Sequence, residues 1–284
     1  MYEKSIENIY YLGPDGSNTH NAMLKFLELS SIRVDNKIAE KSIKSALKNL
    51  EKDSNSICIL PIENSIEGIV RETIGIFLDI KDDKIHILGE ITLPIRHMLL
   101  SKSKDKTKIR KIYSHPQALA QCSKFLYQNF PDVELKEVSS TSYAAQKVST
   151  EDDYSIAAIA NETCAKLFDL NVLSNDINDE KDNKTRFYIL GRFNDCVENT
   201  EKTSIILSTK NYPGALCDVL QIFSKYGLNL TYIDSRPSKR KLGEYLFFVE
   251  FDGVKTDENV KIAITELMNF VDFFKILGSF KIYN

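Results

Sequence analysis

The chain has 284 residues, 37 Lys and Arg against 40 Asp and Glu, and a formal net charge of -3. That length provides for one large or two medium domains with a sizeable core. The dispersed basic residues give no field for nucleic acid, so any anionic ligand must be held by local groups. No segment approaches the ~20 apolar residues of a membrane span, and Met1-Tyr2-Glu3-Lys4-Ser5 lacks the apolar region of a secretory signal. A cytoplasmic protein with no membrane partner is expected. Cys58, Cys122, Cys164, Cys196 and Cys217 are an odd set without a Cys-x-x-Cys pair, and His20, His86, His97 and His115 lack the i,i+4 spacing of a helical metal pair. Neither a disulfide framework nor a metal is predicted. With no P-loop and no Gly-x-Gly-x-x-Gly after a strand, no cofactor is predicted either.

From the N-terminus, strand-like runs alternate with helix-period segments: Ile9–Leu12, Asn18–Leu29, Ile43–Leu50, Ile57–Leu60 and Val70–Ile80. The alternation predicts α/β architecture. After the extended His86–Leu100 and a charged turn at Lys102–Lys108, strands are predicted near Ile109–Tyr113, Val133–Val138 and Ser155–Ile159. Helices are predicted near Pro116–Phe130, Thr141–Ser149 and Asn161–Phe168. Two α/β lobes follow, the second at about 100–180. The polar loop Asn175–Lys184 and strand Arg186–Gly191 return the chain to the first lobe. Asn194–Lys202 reads as a linker, so the expected domains are 1–193 and a separate module at 202–284. In that tail the order is strand Thr203–Thr209, helix Pro213–Tyr226, strand Leu228–Ser235, strand Gly243–Phe251, helix Glu258–Phe270, strand Phe274–Ile282. This βαββαβ order is ferredoxin-like. Pro213 fits a first helical turn, and Gly214 lets a ligand or another backbone approach.

The apolar run Ile57–Leu60 stops at Pro61, and Glu63, Asn64 and Ser65 emerge at the strand's carboxyl end, where α/β proteins bind ligands. An ordinary βα turn with a Ser or Asn helix cap accounts for this segment equally well. Polar residues also concentrate at Gly13–His20, Ser114–Cys122 and Asn183–Phe187, with Ser139-Ser140-Thr141 a weaker case. Helices starting after such turns offer free N–H groups that suit carboxylates. Gln117 and Gln121 share a helical face, and Gln121 is the better candidate to reach a site. Ser, Asn, Gln and Thr bind without titrating. No Ser-His-Asp set or Gly-x-Ser-x-Gly elbow is visible, which argues against a nucleophilic hydrolase.

Taken in order, GPDGS, PIENSIEG, SHPQALAQC, SST, AAIANE and NKTRF resemble prephenate dehydratase across nearly all of residues 9–192. Tyr212-Pro213-Gly214-Ala215-Leu216 and Asp234-Ser235-Arg236-Pro237 resemble the two ligand-contacting runs of the ACT amino-acid-sensing domain attached to that enzyme. The resemblance implies a two-lobed catalytic domain similar to type 2 periplasmic solute-binding folds, with prephenate in the interlobe cleft, followed by the ACT domain. It also implies the reaction, in which prephenate loses carbon dioxide and water to give phenylpyruvate on the way to phenylalanine. On this basis Thr185 donates to the leaving hydroxyl, Asn64 and Gln121 orient the ring hydroxyl and carboxylate, and Ser114 hydrogen-bonds substrate or positions a water. Glu63, Ser65, His115, Thr141, Arg186 and Phe187 bind substrate or support the site. Glu63 reads as a structural or regulatory carboxylate rather than a general acid. Arg186 either pairs with a substrate carboxylate or pins its strand by salt bridge.

The ACT resemblance implies feedback by L-phenylalanine at Pro213, Gly214, Ala215, Leu216, Asp234, Ser235, Arg236 and Pro237, between paired ACT domains of a homo-oligomer, dimer or tetramer. Four positions depart from the family pattern: Asn18 for an aromatic, Ile69 for Ser, Ser142 for Ala and Asp234 for Glu. The first three leave the proposed catalytic side chains intact, whereas Asp234 bears on effector affinity. The dehydratase pattern begins at residue 9 with no helical chorismate mutase region before it, so a single activity is expected. Arogenate dehydratase, acting on the amino analogue, is the alternative enzyme, and a non-catalytic phenylalanine sensor or solute-binding protein the alternative of another class.

Overall fold

The structure, a computed structural model, describes residues 6–30, 32–79, 84–192, 200–238 and 244–284. The first lobe comprises β1 (Ile6–Leu12), α1 (Asn18–Ser30), β2 (Val34–Glu40), α2 (Ile43–Lys52), β3 (Ser56–Asn64), β4 (Gly68–Ile69), α3 (Arg71–Asp79) and β5 (His86–Pro94). Its helices form for local reasons. Ser42 and Ser45 close a reciprocal capping box at the start of α2, and Ile43, Ala46, Leu47 and Leu50 then fall on one buried face.

The second lobe runs through β6 (Met98–Ser101), β7 (Lys111–Ser114), α4 (Pro116–Gln121), α5 (Ser123–Asn129), β8 (Glu134–Glu137), α6 (Thr141–Thr150), β9 (Ile156–Ala160), α7 (Glu162–Leu167) and β10 (Asn171–Ser174). Its sheet has the order β10-β6-β9-β7-β8. β11 (Lys184–Gly191) returns to the first lobe and lies antiparallel between β3 and β5. The expected single helix Pro116–Phe130 is broken at Cys122, whose backbone (φ -118°, ψ 16°) leaves the helical region.

The C-terminal part consists of β12 (Lys202–Thr209), α8 (Ala215–Lys225), β13 (Leu230–Pro237), β14 (Tyr245–Asp252), α9 (Glu258–Phe270) and β15 (Val271–Tyr283). The strand order β15-β12-β14-β13 is ferredoxin-like, as expected. Pro213 precedes the helix, with Gly214 at its N-cap in the left-handed region (φ 93°), a conformation open to glycine at little cost.

The tail is not a detached module. Strand β15 bends at Gly278, where φ is 150° and a Cβ would collide with the Ile87 carbonyl oxygen. The bend carries Lys281–Tyr283 alongside Gly89–Ile91 of β5 as a parallel partner, so one sheet runs β13-β14-β12-β15-β5-β11-β3-β1-β2. Beneath it one apolar cluster joins Phe77, Ile87, Tyr188 and Leu190 to Ile206, Phe248, Leu277 and Phe280. Most of the expected linker, with Cys196, lies outside the described residues. Among the described residues no helix is long and apolar enough to cross a membrane, and no cluster of His, Cys, Asp and Glu is arranged to hold a metal. Cys58, Cys122 and Cys164 are buried free thiols and Cys217 is exposed.

Candidate active site

Two segments connect the lobes, and buried asparagines lock them together. Asn178 Oδ1 accepts from the His97 N–H at 2.6 Å while its Nδ2 donates to the Ile95 carbonyl at 3.1 Å. The Ile95 N–H donates to the Asn183 carbonyl at 2.8 Å. Next to this junction β3 and β11 run antiparallel with Asn64 opposite Thr185 and Glu63 opposite Arg186. Successive strand residues face opposite ways, so the ladder presents Asn64 and Thr185 on one side and Glu63 and Arg186 on the other.

The first side meets the second lobe through a network of neutral side chains with one carboxylate, Glu67, at its edge. Asn64 Nδ2 is shared among Asn183 Oδ1 at 2.7 Å, Thr185 Oγ1 at 2.9 Å and the Lys184 carbonyl at 3.1 Å. Asn64 Oδ1 accepts from the Ile66 and Glu67 N–H groups, both at 3.0 Å, which folds the turn after β3 around the side chain. Asn183 Nδ2 and His97 Nε2 both donate to Gln121 Oε1 at 3.1 Å. Gln121 Nε2 in turn faces Glu67 Oε1 at 3.4 Å across the junction. His97 is nearly fully buried, which lowers its pKa and keeps it neutral with the proton on Nε2. Ser65 clasps β11 from the side: its N–H donates to the Lys184 carbonyl at 2.8 Å, and its Oγ accepts from the Lys184 N–H at 2.9 Å.

A second contact between the lobes lies at the loop after β1. Ser142 Oγ donates to the Asp15 carbonyl, and Asn161 Nδ2 donates to the Gly16 carbonyl at 2.8 Å and to Asn18 Oδ1 at 3.4 Å. Asn18 and Ser142, two of the departures from the family pattern, therefore sit in one polar contact between the lobes. Thr141 is the half-buried first residue of α6, capped by Ser140.

Thus the structure brings Asn64, Thr185, Gln121 and Ser65 together, but three other sequence-predicted residues lie apart. Ser114 is fully buried and its hydroxyl donates to the Ile159 carbonyl at 2.7 Å, which makes it a brace between β7 and β9. His115 is the N-cap of α4, its Nδ1 accepting from the Gln117 N–H at 3.3 Å. Phe187 is packed into the apolar cluster of Ile9, Ile59 and Ile91. Sequence reasoning passed over Asn183, His97, Asn178 and Glu67. Asn183 was visible as the first residue of NKTRF, whereas His97 carried no local signal.

The opposite side of the ladder is charged. Arg186 Nε lies 3.2 Å from Glu63, and its Nη1 lies 3.3 Å from Glu90 on β5 and 2.9 Å from Glu250 on β14. A second contact, Nη2 to Glu250 Oε1 at 3.3 Å, makes the Glu250 pairing bidentate. The guanidinium also lies 5.4 Å from the ring centroid of Tyr232 on β13. Burial pushes the Glu250 carboxyl up to about 7, against the pull of Arg186 and with help from Glu90 and Glu63. Of the two readings of Arg186, the salt-bridge one describes its surroundings.

In the C-terminal part, Asp234 and Arg236 pair at 2.9 Å on β13, the outermost strand of the sheet. Thr231, Ile233, Ser235 and Pro237 alternate with them on the exposed side. The turn Pro213-Gly214 is exposed and a Cβ at Gly214 would meet open space. Ala215 is buried and Leu216 half-buried in the first turn of α8.

Two α/β lobes thus meet at a hydrogen-bonding junction, and a ferredoxin-like domain continues the sheet of the first lobe, the architecture of a two-lobed α/β protein with an appended ferredoxin-like domain. The prephenate dehydratase family model matches residues 9–195, and the ACT domain model matches residues 203–267. This chain belongs to the prephenate dehydratase family and is an enzyme. The prephenate dehydratase of Methanocaldococcus jannaschii is 37% identical, over 97% of this chain and 98% of that protein. That of Bacillus subtilis is 34% identical, over 96% and 98%. A solved prephenate dehydratase from Arthrobacter aurescens, in complex with L-Phe, matches with a TM-score of 0.85 at 30% identity, covering 96% of this chain and 89% of that one.

Proposed function

We propose that this chain converts prephenate to phenylpyruvate, carbon dioxide and water in the cytoplasm, under feedback from L-phenylalanine bound at paired ACT domains of a homo-oligomer. The C–C bond to the ring carboxylate breaks, its electron pair completes the aromatic ring, and the C–O bond at the 4-position breaks. The departing hydroxide takes one proton and leaves as water. A group that donates to that oxygen as negative charge develops there lowers the barrier, because the interaction is stronger in the transition state than in the bound substrate.

The hydrogen bond from Asn64 to Thr185 carries the assignment. With Asn64 donating to Oγ1, the hydroxyl proton of Thr185 is free for an outside acceptor, and donation into the oxygen strengthens the hydroxyl as a donor. Asn64 has all its polar atoms engaged, so on this reading it positions Thr185 rather than holding the ring hydroxyl itself. Gln121, fixed by His97 and Asn183 through its carbonyl and facing Glu67 with one amide proton, keeps its second amide proton for the substrate. Ser114 drops out of the set because its hydroxyl is spent inside the sheet.

For the effector, the exposed side of β13 and the open turn at Gly214 support pairing of two ACT domains edge to edge, with the amino acid at the seam. Incubating the protein separately with prephenate and with arogenate tests the reading. Phenylpyruvate should appear from prephenate and fall as phenylalanine is added. Faster formation of phenylalanine from arogenate would reassign the substrate, and phenylalanine binding without turnover of either would make the protein a sensor.

A further inference from the structure

The charged cluster around Arg186 spans the boundary that a regulatory signal must cross. Arg186 follows Thr185 in β11 and stands opposite Glu63, which precedes Asn64 in β3, so each is one backbone step from the uncharged pair. On its far side the guanidinium holds Glu250, whose side chain is completely buried and belongs to β14 of the ferredoxin-like sheet. Glu250 pairs in register with Tyr232 of β13, and the Tyr232 ring also packs against Arg186. Tyr232 lies on the same face of β13 as Asp234 and Arg236, two and four residues further along. A continuous run of contacts therefore leads from the effector-facing strand through Tyr232 and Glu250 to Arg186, and from there along the backbone to Thr185.

We propose that Arg186 is the positioning residue through which the ACT domain sets the Thr185–Asn64 pair, with Glu250 and Tyr232 as its contacts on the regulatory side. The inference rests on the proposed function, since it needs both a reaction at Thr185 and an effector at β13. Three carboxylates surround one guanidinium, so a movement of β14 that withdraws Glu250 leaves Arg186 paired with Glu63 and Glu90 alone. The cation then has two resting positions, one drawn toward the regulatory sheet and one toward β3 and β5. Movement between them rotates β11 at the residue next to Thr185. Buried charge pairs of this kind suit a two-position element, because intermediate geometries leave charges uncompensated.

Glu250→Gln severs the interdomain charge pair while leaving Arg186 with two carboxylates, so the buried cation stays compensated and the fold is retained. Glu90→Gln removes the same charge from the same cluster but leaves the interdomain pair intact, which makes it the control. L-phenylalanine binding is measured by calorimetry and its effect on prephenate turnover by product formation. Coupling free energies of this kind correspond to about 5–150-fold. Glu250→Gln is expected to bind phenylalanine and turn over prephenate while losing inhibition. Glu90→Gln is expected to keep inhibition, and Glu250→Asp to restore it in part. Amide exchange in the unaltered protein gives a second readout, in which phenylalanine is expected to change protection at residues 184–187 and 63–65. Inhibition of Glu250→Gln as strong as in the parent, or equal loss in both Gln variants, overturns the coupling alone, as does unchanged exchange in those segments. A parent enzyme without turnover, or without response to phenylalanine, overturns the coupling together with the corresponding half of the proposed function.

Discussion

The two sides of the β3–β11 ladder, one residue apart, are built from opposite materials. On the side facing the second lobe Asn64, Thr185, Asn183 and Gln121 are uncharged, and their donors and acceptors are matched to one another. On the other side one guanidinium faces Glu63, Glu90 and Glu250, an excess of negative charge held where Glu250 is wholly buried. Neutral groups hold their geometry across pH and leave one hydroxyl proton to give away. A charged cluster in a poorly solvated site is costly to disturb and responds to a single proton or a small displacement. Under the proposed function, the ladder keeps chemistry and responsiveness on separate faces of the same backbone.

The largest effect that would break this comparison is removal of the cation. Arg186→Leu leaves three carboxylates uncompensated, and losing one member of a buried charge group typically costs about 3–5 kcal/mol. Denaturant unfolding should show a loss of that order, and a variant as stable as the parent would mean that the cluster is not a charge group in solution. Next comes Thr185→Val, which removes the donor while preserving shape. A drop in kcat of about a hundredfold, on the order of 3 kcal/mol, is expected with the fold intact. Near-normal kcat would remove Thr185 from the chemistry.

A smaller effect separates the two faces by pH. Burial, opposed by Arg186 and reinforced by Glu90 and Glu63, raises the Glu250 carboxyl from 4.5 to about 7 in the folded protein. The folded state therefore holds a proton that the unfolded chain has released, and the contribution of this group to stability is lost as pH rises from about 4.5 to about 7. Glu250 faces Arg186 on β11, Glu90 on β5, Glu63 on β3 and Tyr232 on β13. Gln cannot titrate, so the Tm of Glu250→Gln minus that of the parent should grow through this window and then level off. A difference independent of pH would mean that Glu250 does not hold its proton in the fold.

The sequence was most informative where local periodicity and ordered motifs decide the outcome. Helix α9 spans Glu258–Phe270, the residues its periodicity indicates, because its apolar positions recur at helical spacing. Strand β2 escaped notice because Val34–Glu40 is a mostly polar strand at the sheet edge, with no alternation to betray it. The site divides in the same way. Asn64, Gln121 and Thr185 were singled out through motifs as site candidates, but the bonds that orient them reach Asn183 and His97, which are distant in the chain from at least one partner. Arg186 was legible as a charge beside the site, while Glu250 lies 64 residues away on a regulatory strand, a pairing that periodicity does not encode. Phe187 shares its motif with Thr185 but, as core packing, is related to it by sequence adjacency alone.

The smallest effect sharpens the boundary between the site and its support. Ser114 sits at the end of β7, in a segment rich in hydrogen-bonding residues, and its hydroxyl bonds the Ile159 carbonyl within the second lobe. If that bond is its whole contribution, Ser114→Ala loses one buried hydrogen bond, about 1 kcal/mol. The neighbouring His115 cap and the Gln121 network do not depend on it. The variant should therefore unfold at slightly lower denaturant while kcat and KM for prephenate stay at parental values. A drop in kcat without loss of stability would bring Ser114 back into the cleft and require β7 to end differently when substrate is bound.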